Sequence, residues 1–456
     1  MSDAVEQSTP RVWPQGSTAA RVGPRAAAID RLYARLTAIA LILCVASDVF
    51  GGVARFAMSQ LGVPFVLYLP FVFSGGLAAA YFIYQTTASR LDLRIFAILG
   101  FFVLYTIYSL VIGVADGGAR PDIVAFSLYT WTPFFLGLVL AIQGAETRLV
   151  RHVPLWWASA IVGVIVNYFV HFPWTGSTFE VLGQQSDVAR GWTTNGLERL
   201  AGFSRASFTA ANEIAVFGIL LVSRPKTRWT VRVIVWILSL AAVALTTTKT
   251  ALVAILFVPL MLRLQQTLQH RYGRRFEGRF YLAMATLAAL SAVMVMLPGS
   301  SATGALLSKY SFDVSFLTLS SMQGRADDMW PRAFALITAD HNALEWVFGR
   351  GLGGIGAAQY IFDPLNSNAA DNMFVFLYVT FGANCIVFAV AIFSRFGAVF
   401  REGGSRFELF FALAATLLML GMTTNVIESV VPAIALGILA GKSYPSQLGR
   451  DPQPNE

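Results

Sequence analysis

Apolar residues run along this chain in long unbroken blocks separated by mostly short polar stretches, without the strict alternation of amphipathic strands. A helix that crosses a bilayer needs about 20 mostly apolar residues, whereas the strands of a membrane barrel give weak alternating segments. The pattern predicts spans at 33–50, 61–84, 95–114, 123–142, 154–171, 208–222, 231–247, 251–264, 280–297, 372–393, 407–422 and 429–441, with the sixth, eighth and twelfth short. The expected fold is therefore all-α: a polytopic membrane protein of about twelve transmembrane helices.

Two connections are long. One runs over 172–207; the other, 298–371, reads as a large loop containing short helices. The expected organisation is a tail over 1–32, nine spans over 33–297, the large loop, three spans over 372–441, and a second tail over 442–456. The first tail is polar, carries Pro10, Pro14 and Pro24, and lacks an apolar core, so it reads as disordered and not as a cleavable signal.

Composition agrees with the pattern: 56% hydrophobic, 13% charged, mean hydropathy +0.62. With both termini cytoplasmic, 23 of the 33 lysines and arginines fall on the cytoplasmic side of the twelve-span topology, as the positive-inside rule asks. The net charge of +8 is mostly that signal, and no basic stripe interleaved with aromatics points to nucleic acid. Cys44 and Cys385 fall inside predicted spans as packing residues. His171 and His341, on the outer side, lack metal-ligand spacing, so neither a metal site nor a cofactor is expected.

Ionisable residues at span ends collect on the outer side: Asp48, Glu213, Lys249, Asp371 and Glu428. Charge at a membrane boundary is costly and usually lines a functional cavity, although snorkelling or interhelical pairing also accounts for single cases. Lys249 stands in Thr246-Thr247-Thr248-Lys249-Thr250, a polar break with almost no loop; a tight turn there projects a cation that either snorkels or contacts an anion. Arg325 opens Arg325-Ala326-Asp327-Asp328-Met329-Trp330, a short amphipathic helix in which it either pairs with Asp328 or binds phosphate. The run Gly349–Gly354 with Arg350 reads as a sharp loop or a phosphate cradle. Asp371, followed by Asn372, is placed to cap the next span, to act in chemistry, or both. Arg199 and Arg205 steer anions or are solvated, and Trp174, Trp192 and Trp330 stack on sugars or anchor at the interface.

The series Arg199…Gly202-Phe203, Thr248-Lys249-Thr250-Ala251-Leu252, Arg325…Trp330, Phe348-Gly349-Arg350-Gly351 and Asp371-Asn372…Gly382 resembles the O-antigen ligase and polymerase superfamily of multispan bacterial glycosyltransferases. The resemblance covers about 199–382. It implies a glycan donor linked by diphosphate to undecaprenol, an active site on the periplasmic side of the inner membrane, and the lipid bilayer as a partner. Lys249 and Arg325 would hold the diphosphate and Asp371 would take the position of the family's base. Arg199, Arg205, Trp330, Arg350, Asn372 and Glu213 would bind substrate. Lysine at 249 stands where the family usually has arginine. Aspartate at 371, in place of the ligases' histidine, makes Asp371-Asn372 more like a polymerase.

The function expected is thus a polysaccharide polymerase joining lipid-linked repeats, with a chain-length regulator as a possible partner. The alternatives are ligation of the glycan to lipid A core or protein, and transport of a lipid-linked glycan. A transporter would be expected to show related halves and mid-span polar residues, and neither is evident in the chain.

Overall fold

The structure, a computed structural model, describes residues 24–115, 121–181, 184–194, 196–224, 227–272, 324–338, 343–363, 367–368, 371–387, 390 and 404–441. The expected span at 280–297, the large loop up to 323, most of the stretch 388–403 and the tails at 1–23 and 442–456 lie outside these residues.

In chain order the helices are α1 (Pro24–Val49), α2 (Gly51–Gln60), α3 (Leu69–Thr87), α4 (Leu93–Ala115), α5 (Pro121–Thr130), α6 (Thr132–Ile142) and α7 (Glu146–Phe169). Four strands follow, β1 (Thr178–Val181), β2 (Gln184–Asp187), β3 (Trp192–Thr194) and β4 (Leu197–Arg199). Then come α8 (Ser207–Val222), α9 (Trp229–Thr246) and α10 (Lys249–Tyr272), followed by α11 (Trp330–Thr338), α12 (Ala343–Phe348) and α13 (Ala357–Phe362). The last are α14 (Met373–Phe381), α15 (Gly404–Gly421) and α16 (Val430–Ala440).

The molecule is mostly helical and membrane-embedded in character. Six helices among the described residues are long and apolar enough to cross a bilayer, or seven if α5 and α6, bent by 42° at their junction, make one broken span. The bend falls at Trp131, just before Pro133, whose ring removes a backbone donor and suits only a first turn. Along α4, Val103, Leu104, Ile107 and Val111 stand on one face and are exposed, Leu104 by 67%. A stripe of that kind is stable against hydrocarbon and not against water.

α8, α14, α15 and α16 are apolar but shorter. Their burial gives the physical reason. α16 is buried at every one of its 11 residues and α6 at all but Phe135. Helices enclosed by other helices need not match the hydrocarbon thickness themselves. α6 and α16 cross where Gly137 meets Gly437: a Cβ on Gly137 would lie 2.1 Å from the Ile434 carbonyl oxygen, and one on Gly437 2.0 Å from that of Phe134. Only glycine lets two backbones approach so closely.

The loop at 172–207 adds short strands to an otherwise helical fold. It folds into two antiparallel hairpins, Thr178 opposite Asp187 in the first and Trp192 opposite Arg199 in the second. The second turns between Thr194 and Leu197, with Gly196 at φ +78°, a conformation that glycine takes without strain.

Candidate functional site

The polar side chains gather at the end of the bundle where α10 begins. α9 ends at Thr246 and is capped by Thr247, which takes the left-handed conformation at φ +56°, and α10 starts two residues after the cap with Lys249. This is the tight turn read from the threonine run. Thr250 then accepts a hydrogen bond from Thr423 Oγ1 at 2.8 Å, fixing the start of α10 to the α15–α16 connection.

That connection also holds Asn372. Its Nδ2 donates to the Met422 carbonyl at 2.8 Å, and its Oδ1 accepts from the Phe374 and Val375 amides at 2.8 and 3.2 Å. Asn372, and not Asp371, is therefore the cap of α14, which leaves the Asp371 carboxylate for other work. Asp371 Oδ2 lies 3.3 Å from Arg325 Nη2. Arg325 sits in a π-helical turn, Arg325–Met329, leading into α11. Asp328, the short-range partner weighed above, pairs instead with Arg332 one turn on.

Two more cations close the group. Lys249 lies within electrostatic range of Arg199 and Arg325, and Arg199 within range of Arg325 and Asp371. Burial first, then the Arg325 guanidinium, hold Arg199 below its ordinary value. Arg199 comes from β4, and its guanidinium lies 5.5 Å from the ring centre of Trp192, its partner across the hairpin. Trp192, 39% exposed, stacks on Phe208 and also has the Arg190 guanidinium 5.2 Å from its ring centre. Four segments distant in sequence thus bring Arg199, Lys249, Arg325 and Asp371 to one place.

Other expected site residues lie elsewhere. Trp330 is 3% exposed and packed in the core, so its ring offers no stacking surface. Glu213 is 0% exposed; it accepts from Ser204 Oγ at 2.8 Å and faces the Asp48 carboxyl. The glycine run is a sharp loop. Gly349, Gly351 and Gly353 all have positive φ, and the Arg350, Gly351 and Leu352 amides bond Val379 O, Thr380 O and Ser109 Oγ. Those amides are committed to packing and leave no phosphate cradle. Among the described residues the Arg350 side chain forms no ion pair. Arg205 belongs to a neighbouring group with Arg55 and Arg190, described below.

One side chain was undervalued in the sequence. Glu428, at the end of the α15–α16 connection, accepts a 2.7 Å hydrogen bond from the Ala357 amide and lies within electrostatic range of Asp371 and Arg205. Burial pushes its carboxyl up to about 7, with the Asp371 charge adding to the rise and the Ala357 and Asn425 hydrogen bonds opposing it. Its only signal in the sequence was its place at a span end.

A cleft lined by Trp229, Arg232, Pro259, Arg263 and Glu408 opens between α9, α10 and α15. Arg263 lies about 21 Å along α10 from Lys249 at 1.5 Å per residue, so the cleft is remote from this group. No protein-family model matches the chain, and no curated protein matches it in sequence.

Proposed function

We propose that the protein is a polysaccharide polymerase of the O-antigen ligase and polymerase type. In this reading it has about twelve spans, lies in the bacterial inner membrane with both termini cytoplasmic, and joins undecaprenyl-diphosphate-linked repeat units at the periplasmic face. One observation carries the reading: Lys249 and Arg199 gather around Arg325, which pairs with Asp371 at 3.3 Å, although no local spacing requires it.

The chemistry follows from the donor. A hydroxyl at the non-reducing end of one glycan attacks the anomeric carbon of another. The new C–O bond forms as the bond to the diphosphate oxygen breaks, the diphosphate leaves with the electron pair, and in-line attack inverts the centre. Three cations offset the charge growing on the leaving group, in a partly desolvated place where each counts for more than in water. Diphosphate arriving at Arg325 competes with Asp371 for the guanidinium and so frees a carboxylate beside the reacting centre.

The hydroxyl proton goes to a carboxylate. Asp371 holds the family's position for that role; Glu428, raised to about 7, is better matched to accept a proton near neutrality. On this reading Asp371 orients the acceptor and Glu428 receives the proton.

The cellular test is deletion of the gene in its host. A polymerase predicts accumulation of single-repeat lipid intermediates. Accumulation of full-length lipid-linked polymer would instead assign ligation to lipid A core or protein, and unchanged polymer with altered sidedness of the lipid-linked repeats would assign transport.

A further inference from the structure

Beside the diphosphate group stands a second concentration of arginine that the reaction above leaves unused. The Arg205 carbonyl accepts the Arg190 amide at 2.9 Å, joining the two hairpins' flanks. Arg205 also packs on α2: its backbone nitrogen and Cβ lie 3.5 and 3.7 Å from where a Cβ on Gly51 would stand, and the Gly52 amide bonds the Phe203 carbonyl at 2.8 Å. Arg55 is one turn beyond Gly51 on α2, so it faces the same way.

The charges feel each other. The Arg55 charge first, and then burial, bring Arg205 down to about 9; burial first lowers Arg55. Two tyrosines, Tyr68 and Tyr129, with ring centres 5.5 Å apart, lie within range of Arg55. Among the described residues neither Arg55 nor Arg205 forms an ion pair, and the covered Nε of Arg205 donates to nothing. The nearby carboxylates are engaged: Asp48 accepts from the Val431 amide, Glu428 from the Ala357 amide, and Asp187 pairs with Arg190 at 3.6 Å. Both arginines remain partly exposed.

Asp48 lies within electrostatic range of Arg55 and Asp187 of Arg205, but they pair with neither arginine, and two guanidiniums held together in this way favour the arrival of an anion. Their planar forks suit carboxylate or phosphate, and tyrosine hydroxyls add neutral donors. Glu428 lies within range of both Arg205 and Asp371, so the two cationic groups flank the carboxylates. We propose that Arg55 and Arg205, supported by Arg190, Tyr68 and Tyr129, form a second anion site that holds an acidic group of the acceptor. The acidic group is either a sugar carboxylate or the diphosphate of a second lipid-linked repeat. The assignment to an acceptor rests on the polymerase reading; the anion site rests on its own geometry.

The test is calorimetric titration of the full-length protein in lipid nanodiscs with inorganic pyrophosphate and, separately, trigalacturonate. Arg199→Gln, Lys249→Gln and Arg325→Gln together serve as the background, so that the first group no longer contributes. Binding is expected to persist there and to weaken about tenfold or more when Arg55→Gln or Arg205→Gln is added, the scale of a lost charge-assisted pair. Trigalacturonate alone binding assigns a sugar carboxylate, and pyrophosphate alone a second diphosphate; both binding assigns a general anion site. Binding of neither probe to folded background protein overturns the site, as does binding that survives both arginine substitutions. If Arg55→Gln does not fold, Arg55→Lys is read instead: it keeps the charge but loses the fork, and unchanged affinity there counts against the proposal. Loss of the polymerase activity is scored separately, so failure of that reading leaves this result interpretable.

Discussion

Asp371 and Asn372 divide two tasks between adjacent side chains. Asn372 caps α14 and ties it to Met422, so Asn372→Ala is expected to cost about 0.5–2 kcal/mol and to lower the thermal midpoint. Asp371→Asn, by contrast, should leave the midpoint close to wild type and lower polymer synthesis by about 100-fold, the scale of a misplaced acceptor. Equal loss of stability in both variants would count against the division. Glu428 gives a pH prediction. Its folded value, about 7, lies above its ordinary 4.5, so between those values the folded state keeps a proton that the unfolded chain has lost. Its contribution to stability is present in full below about 4.5 and is lost as the pH rises through about 7. Thermal unfolding followed against pH should show that decline in the wild type and a flatter profile in Glu428→Gln; identical profiles would refute the assignment. At this scale the sequence was partly legible. The threonine run around Lys249 announced its turn because a polar break between two apolar blocks has no room for anything longer. The Arg325–Asp371 pair was not readable: the partners are 46 residues apart, and local spacing offered Asp328 instead.

Among the elements, legibility followed how each helix is surrounded. Of the lipid-facing helices, α4 and α9 follow their expected bounds closely; α1 and α7 begin about two turns earlier and α10 runs on to Tyr272, because a helix continues past its apolar block into polar sequence, and α3 begins later, at Leu69. Buried α6, α8 and α16 carry the same apolar signal without the length, and nothing in their composition tells enclosure from a truncated span. The hairpins at 178–187 and 192–199 were not legible: strands of three or four residues carry too little alternation to stand out, even with Asn195-Gly196 in the sequence between Thr194 and Leu197. The Gly137–Gly437 crossing gives the element-level prediction. Gly437→Leu should force α6 and α16 apart, costing about 1–3 kcal/mol or more and depleting folded protein in detergent. Gly100→Ala in α4, where no atom lies within 4 Å of the added Cβ, should be neutral or slightly stabilising. Comparable losses in both would show that the crossing is not the tight contact described.

For the whole molecule, the central claim is that one end of the bundle faces the periplasm and carries the chemistry. Thr178→Cys, exposed in β1 on the side of the site, should react with a membrane-impermeant maleimide in cells with a permeabilised outer membrane, and Ser89→Cys at the far end of α3 should not. The reverse pattern would invert the orientation. Most direct is reconstitution. Purified protein would be given a synthetic undecaprenyl-diphosphate repeat unit with chelator and without nucleotide sugar, beside Lys249→Ala, Arg325→Ala and Asp371→Ala at equal folded amounts. The account predicts a ladder of polymer from the wild type and none from the three variants. No ladder from folded wild type on its cognate repeat, or full ladders from all three variants, would contradict it.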